Sequence, residues 1–132
     1  MQLFDRNQAS PNAKVKLFGL ICLLVIAVTI PITLPHFTHP SMIYHIILHI
    51  ASLAIAIFLS FIAVLAYTRD GRARLLFMAL GFIALAILEI FMLLSATDNL
   101  KEPMIPVVNV ELPHIVLLIM ITLFGVGVLK VN

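Results

Sequence analysis

Four ionisable side chains in this sequence can carry out chemistry within apolar surroundings. His45 and His49 are four residues apart, so on a helix their side chains share one face. Glu89 is the only acidic residue inside a long apolar run, and His114 follows three residues after Glu111. Imidazoles and a carboxylate can bind copper or zinc, and they can also exchange protons. The sequence therefore predicts one candidate site at His45, His49, Glu89 and His114.

Three interpretations of this set stay open at the level of the sequence. The first is a group of hydrogen bonds between helices, with some histidines at the membrane interface. The second is a metal site for copper or zinc, or a haem ligated by His114 together with His45 or His49 from a facing helix. The third is a proton relay, because an intramembrane glutamate beside a histidine can pass protons. The spacing fits all three.

Small side chains continue the helix face that begins with the two histidines. Membrane helices that pack closely present small residues to each other at steps of three and four. We therefore expect this face to contact another helix through Ser52, Ala56, Ser60 and Ala63.

The composition indicates a membrane protein. Of the 132 residues, 63% are hydrophobic and only 11% are charged, and the mean hydropathy is +1.20. A typical soluble domain is about a quarter charged, and a soluble fold of this length cannot bury so much apolar surface. A lipid bilayer provides the missing burial.

Four apolar runs are long enough to cross about 30 Å of hydrocarbon as helices. They predict an all-α, integral-membrane four-helix bundle with short loops, in one transmembrane domain (15–130) after a tail (1–14). The first run follows basic residues as in a signal peptide, but it is longer than usual and has no clear cleavage site, so we expect an uncleaved span. The predicted spans are residues 15–34, 42–67, 75–96 and 112–129.

The distribution of basic residues predicts the orientation. Of the eight Lys and Arg, all except Lys101 fall in segments that an even number of spans places on one side. Lys and Arg accumulate in short cytoplasmic loops, so we expect both termini in the cytoplasm and a multi-pass protein of the cell membrane. All five histidines and Glu89 then lie in the outer half of the bilayer.

Several functional classes are disfavoured. The lone Cys22 can form neither a disulfide framework nor a cysteine metal site within one chain. The basic residues are spread along the chain rather than clustered on one face, so the sequence does not suggest a nucleic-acid partner. No nucleotide-binding loop, nucleophile elbow or zinc-protease motif is present, so we expect no catalytic residues and no enzyme activity of the chain by itself.

From Tyr44 onward, which is roughly two-thirds of the chain, the sequence resembles a small archaeal family of multi-span membrane proteins. The likeness is carried by HIILHIASL, AYTRDGRARLLFMALGFIALAILE and ELPHIVLLIMITLFGVGVL. It implies a compact helical bundle and supplies no activity. In size, span number and outward-facing layer of His and acidic residues, the chain is also similar to the accessory helical subunits of archaeal ammonia monooxygenase, a copper membrane complex, although no motif matches.

These observations predict a small accessory or structural subunit that packs in a larger membrane complex. The resemblance implies the copper-dependent ammonia monooxygenase as one candidate complex. The expected partners of this subunit are membrane lipids and other integral-membrane subunits. One alternative is an autonomous metal- or haem-binding membrane protein that uses the His/Glu set. The other is a small proton-coupled transporter.

Overall fold

The prediction of four apolar helices is confirmed by a computed structural model that describes residues 11–38, 40–101, 104–105 and 110–129. The helices are α1 (Pro11–Thr33), α2 (Pro40–Asp70), α3 (Ala73–Ala96) and α4 (Leu112–Leu129). Each is long and apolar enough to cross a membrane. A 3-10 turn, Leu34–His36, follows α1, and a two-residue antiparallel ladder pairs β1 (Met104–Ile105) with β2 (Val110–Glu111) before α4. The fold is an all-α four-helix bundle.

The helices begin and end close to the predicted spans. The first helix begins at Pro11 rather than at residue 15, and proline is favoured at the first position of a helix because its missing N–H has no partner there in any case. The second helix is longer than predicted by two residues at its start and by three at its end. Residues 1–10 of the predicted tail, His39 and Lys130 lie outside the described residues.

Residues with positive φ follow the second and the third helix. Gly71 and Arg72 join α2 to α3, and Gly71 has φ +64°, a conformation that suits glycine. At the end of α3, Asp98 has φ 51° and its N–H donates to the carbonyl of Ser95, while the N–H of Asn99 donates to the carbonyl of Leu94. This pair of bonds is a Schellman motif, which ends the helix by using carbonyls that have lost their helical partners.

Among the described residues, each helix contacts mainly the helix next to it in the sequence. The contact between α2 and α3 is the most extensive, and the contact between α3 and α4 is the next. Small residues allow the close approach. A Cβ on Gly81 of α3 would lie 2.7 Å from the Phe124 ring of α4, and a Cβ on Gly127 of α4 would lie 3.3 Å from Cβ of Phe77. The neighbouring glycine of α4, Gly125, plays no such part, because it has open space around its missing side chain.

The first helix packs on α2 through a narrow buried stripe at a four-residue spacing. Val25, Thr29 and Thr33 are each less than 5% exposed. Both threonine hydroxyls donate to carbonyls of α1 itself, four residues earlier, so neither needs a partner on another helix. This stripe of the first helix therefore contributes packing rather than polar contacts to its neighbours.

Candidate functional site

The polar side chains that contact each other between helices lie at one end of the bundle. We call the distal end the one at which α1 and α3 end and α2 and α4 begin, and the proximal end the other. His49 lies nine residues into α2 and Glu89 lies seven residues before the end of α3. At the helical rise these positions are about 14 Å and about 10 Å from the distal ends of their helices. Antiparallel packing of α2 and α3 thus brings the two residues to a similar depth.

His49 and Glu89 form a short contact between α2 and α3. Nδ1 of His49 lies 2.7 Å from Oε2 of Glu89, and the two side chains are only 11% and 15% exposed. Either Nδ1–H donates to an ionised carboxylate, or a protonated carboxyl donates to an unprotonated Nδ1. One proton occupies the contact in both cases. The site therefore satisfies the lone spanning carboxyl, which would be costly if it were charged and faced lipid.

His45 extends this contact by one helical turn toward the distal end. Its Nε2 lies 3.2 Å from Nε2 of His49, and the rings meet edge to face with centroids 4.5 Å apart. The residue itself is exposed, whereas His49 is buried. The i,i+4 spacing that predicted a shared face thus produces a direct contact between the rings.

The two contacts together form a hydrogen-bonded chain that can adopt two donor–acceptor patterns. If neutral His49 donates from Nδ1 to Glu89, its Nε2 must accept, and Nε2–H of His45 donates to it. If a protonated Glu89 donates to Nδ1, then Nε2–H of His49 donates to His45. The second pattern holds one proton more than the first, so a proton taken up at Nδ1 of His45, with the Nε2 proton of His45 and the Nδ1 proton of His49 each moving across one contact, converts the first pattern into the second. We call His45, His49 and Glu89 the relay triad.

A cavity of about 240 Å³ adjoins the triad between α2, α3 and α4. His49 and Glu89 line it, and a second pair, Glu111 and His114, lines it from the start of α4. In that pair Nδ1 of His114 lies 3.2 Å from Oε2 of Glu111, and both side chains are well exposed, at 66% and 41%. The remaining lining is apolar and consists of Leu88, Met92, Pro113 and Leu117.

The predicted set of four site residues is thus divided. His45, His49 and Glu89 are linked, whereas His114 pairs with Glu111 and joins them only through the shared cavity. Within the described residues, no group of three or more His, Cys, Asp or Glu side chains is arranged to hold a metal ion. The binding of copper, zinc or haem at these four residues stays a prediction.

The small-residue face of α2 is divided in a similar way. Ala56 and Ala63 are buried, at 0% and 8% exposure. Ser52 and Ser60 are half-buried, and the hydroxyl of Ser60 donates to the carbonyl of Ala56 in its own helix. The alanines are therefore the buried members of this face, and the Ser60 hydroxyl has a hydrogen-bond partner within its own helix.

Comparison with known proteins identifies no relative of this chain. No protein-family model matches it, and no curated protein or solved structure matches it at a significant level. The resemblances stated from the sequence therefore stay predictions, and a function must be inferred from the geometry of the site.

Sequence reasoning did not identify the Glu111–His114 pair as a unit. Its signal is the ELPH segment, in which an acid and a histidine are three residues apart at the start of a helix. The apolar walls of the cavity had no comparable signal, because Leu88, Met92 and Leu117 resemble the rest of their helices. Their position depends on how α3 and α4 pack.

Proposed function

We propose that this chain is a small integral-membrane subunit that provides a proton-exchanging site, the relay triad, near the outer face of the cell membrane. The observation that carries the proposal is the pair of consecutive contacts of 3.2 Å and 2.7 Å that join the exposed His45 to the largely buried Glu89. Ionisable residues are rare within membrane spans, and those that occur commonly mark proton relays or other functional sites.

The proposed orientation has both termini in the cytoplasm. Its support is the charge at the proximal end, to which the start of α1 and the α2–α3 turn both belong. The described basic residues there are Lys14, Lys16, Arg69, Arg72 and Arg74. Because basic residues mark the cytoplasmic side, the distal end with the relay triad faces outward.

The proposed site exchanges protons with one side of the membrane only. Between the triad and the proximal end, the buried side chains described on α2 and α3 are apolar or absent: Leu53, Ala54, Ala56, Ala63, Ala79, Gly81 and Ala84. A proton that enters at His45 therefore has no buried titratable group within the described part of these helices to continue to. This arrangement favours exchange with the distal cavity over the predicted activity of an independent proton-coupled transporter.

Nitrogen-15 NMR of histidine-labelled protein in lipid nanodiscs tests the relay. The ring nitrogen shifts report which nitrogen of each histidine carries a proton, so Glu89→Gln is expected to change the spectrum of His49 and, through it, that of His45. Glu111→Gln is the matched control, because it makes the same change to the carboxylate of the second pair and is expected to alter His114 alone. A Glu89→Gln spectrum in which His45 is unchanged would contradict the relay.

A second function, the predicted noncatalytic accessory role, is favoured by the one-sided site. A proton-exchanging group that leads only to a cavity needs another molecule to use it, and a partner membrane subunit can supply the rest of a pathway. Crosslinking in native membranes, followed by identification of the co-purified proteins and copper analysis of the complex, tests this role. Ammonia monooxygenase subunits in that sample would support the predicted partner, and a chain recovered alone after efficient crosslinking would argue against an accessory role.

A further inference from the structure

A second cavity lies at the opposite end of the bundle, where α1 begins and α2 ends. Its volume is about 280 Å³. Two cations, Lys14 of α1 and Arg69 of α2, line it together with apolar side chains. The full lining is Ala13, Lys14, Leu17, Ile62, Leu65, Ala66 and Arg69. We call it the proximal cavity.

The charge of the proximal cavity is not balanced by the residues that line it. No acidic residue belongs to the described lining. Among the residues that the structure describes, the ion pairs are His49 with Glu89 and His114 with Glu111, so neither Lys14 nor Arg69 has a carboxylate partner there. The start of α1 and the end of α2 meet at this place, so their opposite helix dipoles offset each other and the two side chains decide the sign of the potential.

The apolar part of the lining indicates what kind of anion fits. Leu17, Ile62, Leu65 and Ala66 lie on the membrane-embedded side of the two cations, because both helices continue from there toward the distal end. A ligand that fills the cavity therefore needs a negative group at the level of the helix ends and a hydrocarbon part below it. Lysine and arginine at this level bind phosphate headgroups, and arginine can do so with two parallel hydrogen bonds.

We propose that the proximal cavity binds the phosphate headgroup of an anionic membrane lipid, with Lys14 and Arg69 on the phosphate and the first part of an acyl chain against Leu17, Ile62 and Leu65. This site lies at the other end of the bundle from the relay triad, so either proposal can fail without the other. Each basic residue near an anionic headgroup contributes about five- to sixfold in affinity, which makes roughly 30-fold for the two.

Native mass spectrometry of the full chain in detergent, with added dioleoyl-phosphatidylglycerol or dioleoyl-phosphatidylcholine, tests the proposal. We expect discrete adducts of the anionic lipid at lower concentration than those of the zwitterionic lipid. The Lys14→Gln, Arg69→Gln double variant is expected to weaken the anionic adduct by roughly 30-fold. The matched control is Arg72→Gln, Arg74→Gln, which removes the same charge from the same end of the bundle but not from the cavity lining and is expected to weaken the adduct by about twofold or less.

Three outcomes would overturn the proposal. The two lipids could bind equally, which would assign the adducts to acyl chains alone. Both double variants could weaken the adduct to the same extent, which would assign it to the diffuse positive charge of this end. Soluble glycerol phosphate could displace the lipid completely, which would indicate a site for a free phosphate compound. Circular dichroism of each variant confirms that the helices are retained.

Discussion

The contact between His49 and Glu89 leads to a quantitative prediction about stability. Replacing Glu89 by leucine removes the partner of Nδ1 in a histidine side chain that is 11% exposed. A hydrogen bond between membrane helices contributes about 0.6 kcal/mol on average and up to about 1.7 kcal/mol, while a buried polar group left without a partner costs about 1–3 kcal/mol. Because this contact is short and shielded, we expect Glu89→Leu to lower the free energy of unfolding by about 2 kcal/mol.

The double variant His49→Leu, Glu89→Leu distinguishes a specific pair from general damage to the helix interface. Replacing both members of a buried polar pair by apolar groups is often close to neutral, because no group is left unsatisfied. We therefore expect the double variant to be more stable than Glu89→Leu alone. Glu111→Leu is the matched single control, and since its pair is well exposed we expect a loss of about 0.5 kcal/mol or less.

Equilibrium unfolding in mixed micelles with increasing sodium dodecyl sulfate, followed by circular dichroism, measures these free energies. The reasoning would be refuted if the losses in free energy of unfolding measured for His49→Leu alone and for Glu89→Leu alone simply added in the double variant. It would also be refuted if Glu111→Leu were as destabilising as Glu89→Leu, because exposure could then not be the deciding factor.

Three further predictions use the same unfolding measurement. Gly81→Ala is expected to lower the free energy of unfolding by about 1–3 kcal/mol, since its Cβ would lie 2.7 Å from the Phe124 ring. Gly125→Ala is the control, because nothing lies within 4 Å of its Cβ position, and it is expected to be neutral or stabilising by up to about 1 kcal/mol. Equal effects of the two variants would contradict the described α3–α4 packing. Gly71→Ala is expected to lose about 1 kcal/mol because φ is +64° there, and an unchanged midpoint would argue against that turn. Asp98→Gly is expected to gain about 0.5–1 kcal/mol since φ is 51°, and a loss of stability would mean that the aspartate side chain has a role of its own.

The helices could be predicted from the sequence because they depend on local composition. A run of about 20 apolar residues has few options in a membrane, where each backbone polar group needs a partner inside the chain. The ends are less certain, because polar residues can continue a helix into the interface at little cost. This is why α2 continues past the predicted end at residue 67 to Asp70, where Gly71 ends it.

The relay triad was only partly predictable, and the reason is the difference between periodicity and packing. The spacing of His45 and His49 fixes their common face whatever the rest of the fold does. The depth of Glu89 could be matched to theirs only by assuming that α2 and α3 are antiparallel neighbours, which their short connection favours. The position of His114 depends on how α4 packs on α3, and residue spacing in the sequence does not determine that packing. The ring of His114 lies on the cavity wall and pairs with Glu111, the residue just before α4, instead of joining the triad.

The position of the triad also explains how one polar group can be accommodated in so apolar a chain. The threonines of α1, Ser60 of α2 and Thr97 at the end of α3 all donate to carbonyls of their own helices, so they need nothing from a neighbour. An ionised Glu89 has no such option, because a carboxylate only accepts hydrogen bonds and the N–H groups in a helix interior are already engaged. Its partner must come from another helix, and His49 is the side chain that α2 presents at that depth. The imidazole then has a second nitrogen to satisfy, and His45, one turn nearer the distal end, satisfies it. The need to pair one carboxyl thus explains a continuous set of contacts from the largely buried Glu89 to the exposed His45, and the proposed proton exchange at the distal end requires such a set.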